Sequence, residues 1–243
     1  MKQRELFSNL ITVPPIFVRI DGRAFHRLAT HMSFEKPFDE TFHKAMVSVS
    51  ESLVSHSGLN PDFAYTFSDE ISLYFSSVPF RGRVEKIDSI ASSYAASALS
   101  LQIHPESPVA FDARIVQVTP ELAAEYLKNR QHEAWRNHIN AYCQAALINE
   151  GMTPADAQRT LLGMPSKALH EMMFARGVNL GATPAWQRRG ALVYKILKKV
   201  HGFNPVTNET AETLRSSVTI DHDLPLFNAP EGHKFLASLI MEP

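Results

Sequence analysis

Three observations in the 243-residue chain predict an α+β fold, with an antiparallel sheet core in the first half and a helical annex in the second. Short runs of alternating apolar residues punctuate residues 14–119, two of them nearly adjacent. Apolar residues at helical spacing fill the gaps between those runs. The second half opens with a Thr-Pro helix start that is repeated thirty-odd residues later.

The elements follow in order. After Pro14-Pro15, the residues Ile16, Val18 and Ile20 alternate as a strand that Asp21-Gly22 ends. Residues 23–38 read as a connection. Asp39 is the N-cap of a helix whose Phe42, Ala45, Met46, Val49 and Leu53 share one face, and Gly58 stops it. Phe63–Phe67 and Ile71–Phe75 are β-rich, and with only Ser68-Asp69-Glu70 between them they form a hairpin. A second helix runs from Arg81 to about Ile103, with Ile87, Ala91, Tyr94, Ala98 and Leu101 in phase. Phe111–Val118 is a fourth strand. The order β-α-β-β-α-β is the split βαβ, ferredoxin-like pattern, an antiparallel sheet with helices on one face. Thr119-Pro120 then starts a long helix stopped by Gly151, Thr153-Pro154 a short one ending near Gly163, and a third covers Ser166–Ala175. Ala191–Val200 fits helix and strand equally. With no linker evident, the chain reads as one unit, a core at about 14–119 and an annex at about 120–243.

Composition narrows the function. Lys plus Arg is 24 and Asp plus Glu 25, which excludes nucleic-acid binding by bulk positive charge but not by a local patch. One cysteine excludes a disulfide scaffold and a Cys-cluster zinc site, and points to a reducing, cytoplasmic setting. No apolar run is long enough to span a membrane, and the first residues lack the apolar stretch of a secretory signal.

Two carboxylates stand out. Asp21 ends the first strand and Asp69, beside Glu70, sits at the hairpin tip. In this topology those strands are neighbours, so both acids fall at one edge of the sheet. Paired carboxylates repel unless a cation lies between them. Two Mg²⁺ ions, about 3.5–4 Å apart, answer that repulsion, activate an attacking oxygen and stabilise a leaving phosphate. The Gly22 carbonyl is a further oxygen ligand candidate. Asp and Gly are also ordinary turn residues. The bend Gly22-Arg23-Ala24-Phe25-His26 can cradle a triphosphate with its amides, Arg23 and Lys36 can neutralise it, and Phe25 can stack on a base or belong to the core.

These motifs resemble the tRNA-His guanylyltransferase family and its Thg1-like proteins. The likeness rests on Val18-Arg19-Ile20-Asp21-Gly22-Arg23 with Phe25-His26, then Phe34-x-Lys36-Pro37-x-Asp39, then Ser68-Asp69-Glu70. It continues through Phe111-Asp112-x-Arg114, Tyr126-Leu127-x-x-Arg130-Gln131, His138-Ile139-Asn140, Lys167, Gly177-Val178-Asn179 and Arg189-Gly190. The resemblance implies a palm like that of polymerases and nucleotide addition in the 3′→5′ direction at a tRNA 5′ end. A 5′-monophosphate is activated by ATP or GTP, and the 3′-hydroxyl of an incoming nucleotide, usually GTP, then attacks. It implies two Mg²⁺ held by Asp21, Asp69 and the Gly22 carbonyl, a triphosphate cradle at residues 22–26, and activity roles for Lys36, Asp39, Ser68 and Glu70. It gives His138, Asn140, Lys167 and Asn179 to activation or phosphate handling, and implies a homotetramer. Ala24, Ala141 and Leu180-Gly181 depart from the family pattern, which fits a protein that repairs truncated tRNA 5′ ends against a template as well as one that extends tRNA-His. Two other readings share the acids or the partner: a nucleotide cyclase or dinucleotide synthase, and a tRNA-binding protein without catalysis.

Arg188, Arg189, Lys195, Lys198 and Lys199 lie within twelve residues and form a candidate RNA-backbone patch, or a solvated face. His132-Glu133 with His138 does not make a zinc-protease motif. Asp221-His222-Asp223 reads as a polar loop, Cys143 as a core thiol, and Trp135 and Trp186 as packing residues.

Overall fold

The computed structural model describes residues 4–204 and 209–241. Strand β1 (Ile16–Gly22) places Ile16, Val18 and Ile20 in one buried cluster and Phe17 in another, so both of its faces are covered. The stretch read as a connection contains a short helix, α1 (Phe25–His31), of which only Phe25 is buried. One buried residue in seven leaves no apolar stripe for a periodicity argument to register. Helix α2 (Glu40–Ser55) starts where Asp39 caps it, Oδ1 accepting the Phe42 amide at 2.7 Å. Strands β2 (Phe63–Phe67) and β3 (Glu70–Phe75) meet through the two-residue turn Ser68-Asp69, with Ser68 at φ +51°. Glu70, expected in the turn, opens β3. Helix α3 (Val84–Ile103) starts later than Arg81 because Phe80 and Arg81 both take left-handed conformations in the 3₁₀ turn before it. Strand β4 (Phe111–Gln117) completes the β-α-β-β-α-β order.

Thr119 and Thr153 cap α4 (Pro120–Asn149) and α5 (Pro154–Leu161) through their hydroxyls, as the Thr-Pro pairs predict. Helices α6 (Ser166–Phe174) and α7 (Ala185–Arg189) follow. The ambiguous stretch is strand: β5 (Ala191–Asn204) pairs with β2 and then with β6 (Glu209–Asp221), and α8 (Pro230–Met241) closes the described chain. Ala191 and Val193 face one cluster and Leu192 the other, the period of two that a strand requires.

All strand pairs are antiparallel, in the order β4-β1-β3-β2-β5-β6. Helices α2 and α3 cover one face. The sequence reading put helices on that face alone, but Leu127 of α4 and Leu236 and Ile240 of α8 pack over Phe17, Phe63, Tyr65 and Tyr74 on the other. The signal was present in β2, all five of whose residues are buried, as a strand covered on both sides demands. A third cluster joins α4 to α6 around Ile139, Cys143 and Met173. Cys143 is a free, buried thiol there, and burial pushes it up to about 11. Among the described residues no helix is long and apolar enough to cross a membrane.

Candidate active site

The register of β1 against β3 sets Asp21 opposite Glu70, and that of β1 against β4 sets Asp21 opposite Asp112. Three carboxylates therefore lie in a row across adjacent strands, with Asp69 at the turn beside them. Like charges directly across a ladder are destabilising. Two of the four are neutralised by neighbours: Asp112 by Arg114 on its own strand, and Glu70 by Arg130 of α4 at 3.1 Å. Asp21 and Asp69 have no cationic side chain within 4 Å among the described residues.

Asp69 is held closely. The Gly22 amide donates to its carbonyl at 3.2 Å and the Ser68 hydroxyl to its Oδ1 at 3.1 Å. A Cβ on Gly22 would sit 2.7 Å from Asp69 Oδ2, so only glycine lets the carboxylate lie there. Burial raises the Asp69 carboxyl above its ordinary value; its own amide and Ser68 pull it down, and the Asp21 charge pushes it up. Glu70 is raised by burial too, against the pull of Arg130 and Arg19.

A cavity of about 470 Å³ opens at Asp69; Asp21 does not line it, though its charge bears on Asp69. Gly22, Ala24, Phe25 and His26 line it with Ser68 and Asp69, and Lys36 and Asp39 stand across from them. Its far wall is aromatic (Phe34, Phe38, Phe42) and is closed by α4 and Trp186. The donor set suits a hard divalent cation: two carboxylates without a counter-charge and a glycine backbone beside them. Among the described residues no group of three or more His, Cys, Asp or Glu converges as a metal cluster, so such an ion would rest on two carboxylates and backbone oxygen.

Sequence comparison decides the family. Residues 1–119 match the family model for tRNAHis guanylyltransferase. A probable tRNA(His) guanylyltransferase of Dictyostelium discoideum is 31% identical over 225 residues, covering 85% of this chain and 84% of the relative. The tRNA(His) guanylyltransferase of Saccharomyces cerevisiae is 31% identical over 208 residues, covering 79% of this chain and 87% of the relative. The chain belongs to the tRNA(His) guanylyltransferase family. A solved bacterial Thg1-like protein in complex with ATP superposes with a TM-score of 0.73 at 24% identity, over 99% of this chain and 96% of that one, and carries the fold.

Other residues that the family likeness singles out are placed unevenly. Both carboxylate oxygens of Asp39 are engaged by amides, Oδ1 by Phe42 and Oδ2 by Glu35 at 2.9 Å, so it shapes the cavity wall and the α2 start. The amides of Gly22 and Arg23 bond the Asp69 and Ala110 carbonyls, which leaves those of Ala24 to His26 for a cradle. Arg23 is exposed and does not line the cavity. Phe25 packs against Phe42 and Phe111 in the core.

The second-half residues lie elsewhere. His138 is fully buried between Phe38 and Trp135. The Thr183 hydroxyl donates to the Leu180 carbonyl, so His138 Nε2 is the donor in its 2.8 Å bond to Thr183. Burial, with the charges of Arg188 and His170, lowers His138 to about 4 and keeps it neutral. Asn140 faces a separate groove, Lys167 is exposed beside Glu171, and the Asn179 side chain caps a 3₁₀ turn. None of these four lines the cavity at Asp69.

The sequence singles out no role for His43 and marks Trp186 as a packing residue; the structure stacks the two. His43 lies one turn after Asp39 on α2, a spacing that could have flagged it; nothing local marks Trp186 as its partner. The rings stack at 4.1 Å on the cavity wall, and His43 Nε2 lies 3.2 Å from His222 Nδ1. Burial and the nearby His222 lower His43 to about 4. The five-cation run is divided: Arg188 and Arg189 sit on α7, whereas Lys195, Lys198 and Lys199 lie along β5. Lys195 donates to the Asn60 side chain and Lys199 faces Glu212.

Proposed function

We propose that this chain is a 3′→5′ nucleotidyltransferase that joins a nucleotide, GTP by preference, to a tRNA 5′ end after activation of that end by ATP or GTP. The observation that carries it is the Asp21–Asp69 pair, two carboxylates without a counter-charge, of which Asp69 lines a nucleotide-sized cavity and Asp21 acts on it by its charge, in a chain of this family. Asp21, Asp69 and the Gly22 carbonyl would hold Mg²⁺, two ions by family likeness. Bound there, the metal neutralises phosphate charge and favours the ionised attacking oxygen.

The chain's own residues do the rest. Ala24 to His26 present backbone N–H groups toward the phosphates, and Lys36 adds a charge from the facing wall. The apolar wall of Phe34, Phe38 and Phe42 takes the base and keeps water from it. Ser68 fixes the Asp69 carboxylate by its hydrogen bond, and Arg130 fixes Glu70. Phosphoryl transfer of this kind depends chiefly on such positioning. The departures at Ala24, Ala141 and Leu180-Gly181 favour end repair alongside tRNA-His extension. A cytoplasmic homotetramer is part of the same reading.

The test is incubation with Mg²⁺, ATP, labelled GTP and either 5′-truncated tRNA or tRNA-His lacking its extra 5′ guanosine. Label joined to the 5′ end is expected. Label confined to cyclic or linear small nucleotides would establish the cyclase or synthase reading instead. Asp21→Ala and Asp69→Ala should each lower kcat by at least about 10²–10³-fold with the circular dichroism spectrum unchanged. Full activity in either variant would remove the metal assignment.

A further inference from the structure

Helix α7 separates two cavities. Its Trp186 and Gln187 line the one at Asp69, while Arg188 and Arg189 line a second, of about 510 Å³, on the other flank of α4. Lys128, His132 and Trp135 of α4 form the facing wall, and Leu226, Asn228 and Ala229 the roof. Three permanent cations and a histidine meet here, and no carboxylate belongs to the lining. The nearest acid is Asp223, 3.9 Å from Arg189 and 88% exposed.

The cavity is built rather than incidental. Gln131 donates to the Pro225 carbonyl at 3.0 Å and accepts the Phe227 amide at 2.8 Å, and Arg189 donates to the Leu224 carbonyl at 2.7 Å. These three bonds pin the roof over the arginines. Arg188 is oriented by its bond to the Thr183 carbonyl. Buried charge is expensive without a partner. Yet Arg189 Nε is buried with no hydrogen-bond acceptor, and among the described residues neither Arg188 nor Lys128 has a carboxylate within 4 Å. Burial and the neighbouring Arg189 lower the Arg188 guanidinium below its ordinary value. A set of pre-aimed donors with uncompensated positive charge fits a phosphate group, which offers several acceptors to forked guanidinium donors.

Its position ties it to the reaction. The Arg189 carbonyl accepts the Tyr65 hydroxyl at 2.8 Å, and Gly190 lies so close to the Thr66 carbonyl that a Cβ would come within 2.6 Å. That end of β2 leads directly into Ser68-Asp69. On the other wall, Lys128 and Gln131 flank Arg130, which holds Glu70.

We propose that this second cavity is a phosphate-ester site of the enzyme, seating a backbone phosphate of the RNA whose 5′ end lies at Asp69. The proposal rests on the nucleotidyltransferase reading for its RNA ligand, but its phosphate chemistry can be tested without turnover. Lys128 and His132 bear on the cavity without holding its roof, so Lys128→Glu with His132→Glu reverses the local charge while sparing the arginine bonds, and Lys128→Gln is the milder control.

Tripolyphosphate binding by calorimetry without Mg²⁺, in a Lys36→Glu background that removes the cation of the Asp69 cavity, separates this cavity from that one. Binding should fall about tenfold in the charge-reversed variant and less in Lys128→Gln. In the active enzyme, the KM for tRNA should rise about tenfold, with kcat and the KM for GTP within twofold. The salt dependence of tRNA binding should lose a slope of about one per cation removed. A rise in the KM for ATP or GTP with tRNA binding unchanged would sustain the phosphate chemistry but make a free nucleotide the ligand, overturning the RNA assignment. Equal tripolyphosphate and tRNA affinities in folded wild-type and reversed proteins would overturn the site.

Discussion

At Gly22 a hydrogen in place of a methyl group decides where the Asp69 carboxylate can lie. A Cβ there would meet the Phe25 ring at 2.4 Å and Asp69 Oδ2 at 2.7 Å. Phe25 is wedged against Phe42 and Phe111, so the Gly22 backbone and the Asp69 carboxylate must both shift. Gly22→Ala should therefore lower kcat about 10²-fold, as misplacements near 1 Å do, and cost about 1–3 kcal/mol in urea unfolding. A wild-type kcat in that variant would mean that the Asp69 position is not critical. Asp88 on α3 is a residue-scale liability of another kind. One of its oxygens is buried without a partner, and burial raises its carboxyl to about 6. The folded state then holds a proton that the unfolded chain releases near pH 4, so stability falls as pH rises from about 4 to about 6. Asp88→Asn should gain about 1 kcal/mol at pH 7.5, the side chain being half exposed, and nothing below pH 4. Melting temperatures at the two pH values check this, and an equal shift at both would refute it. The same contrast governs what could be read in advance. Asp21 and Asp69 were legible because strand end and hairpin tip are local features that topology brings together. The engagement of Asp39 by two amides and the enclosure of His138 depend on how distant segments pack, and no spacing along the chain announces them.

At the scale of elements, β5 is ambiguous in the sequence and β6 is not legible there. Ala191–Val200 alternates over too few residues before Lys198-Lys199 breaks the pattern, and its partner strand, rich in Ser, Thr and Glu, carries no apolar rhythm. The reason is visible in the pairing. Beyond Tyr194, opposite Phe63, β5 pairs only with β6 among the described residues, so the two strands leave the sheet as a ribbon and the core no longer imposes hydrophobic alternation. Such ribbons are marginal on their own. This one also sets Lys198 directly across from Arg215, a like-charge pair that costs roughly 0.2–1 kcal/mol. Neither has a carboxylate within 4 Å among the described residues. An anionic partner such as the tRNA backbone would relieve that repulsion. Lys198→Glu replaces it with an attractive pair, so melting temperature should hold or rise while tRNA affinity falls and its salt slope drops by one to two. Stability and binding moving in opposite directions is the signature to seek in paired melts and salt titrations. Unchanged binding would leave the ribbon face to solvent.

For the whole molecule, a net charge of −1 averages over regions of opposite sign. Unpaired acids stand at the β1–β3 edge, while cations gather on α7, on one flank of α4 and along the ribbon. The sheet between them is covered on both faces, by α2 and α3 and by α4 and α8, so the acids are held by two cores at once. Ligands that relieve the Asp21–Asp69 repulsion therefore bind the folded chain and not the unfolded one, in which the two carboxylates drift apart. Linkage then fixes the size of the effect. At a concentration one hundred times Kd, a ligand adds about 2.7 kcal/mol. For a chain of this length each kcal/mol moves the melting temperature by roughly 2–4 °C, so saturating Mg²⁺ with GTP should raise it by about 5–11 °C. GTP with a chelator should give a smaller shift, because the phosphates then face uncompensated carboxylates. In Asp21→Ala with Asp69→Ala the added effect of Mg²⁺ should vanish, and the ligand-free protein should melt no lower than wild type once the repulsion is gone. A Mg²⁺-dependent shift of the same size in that double variant would place the metal elsewhere on the molecule.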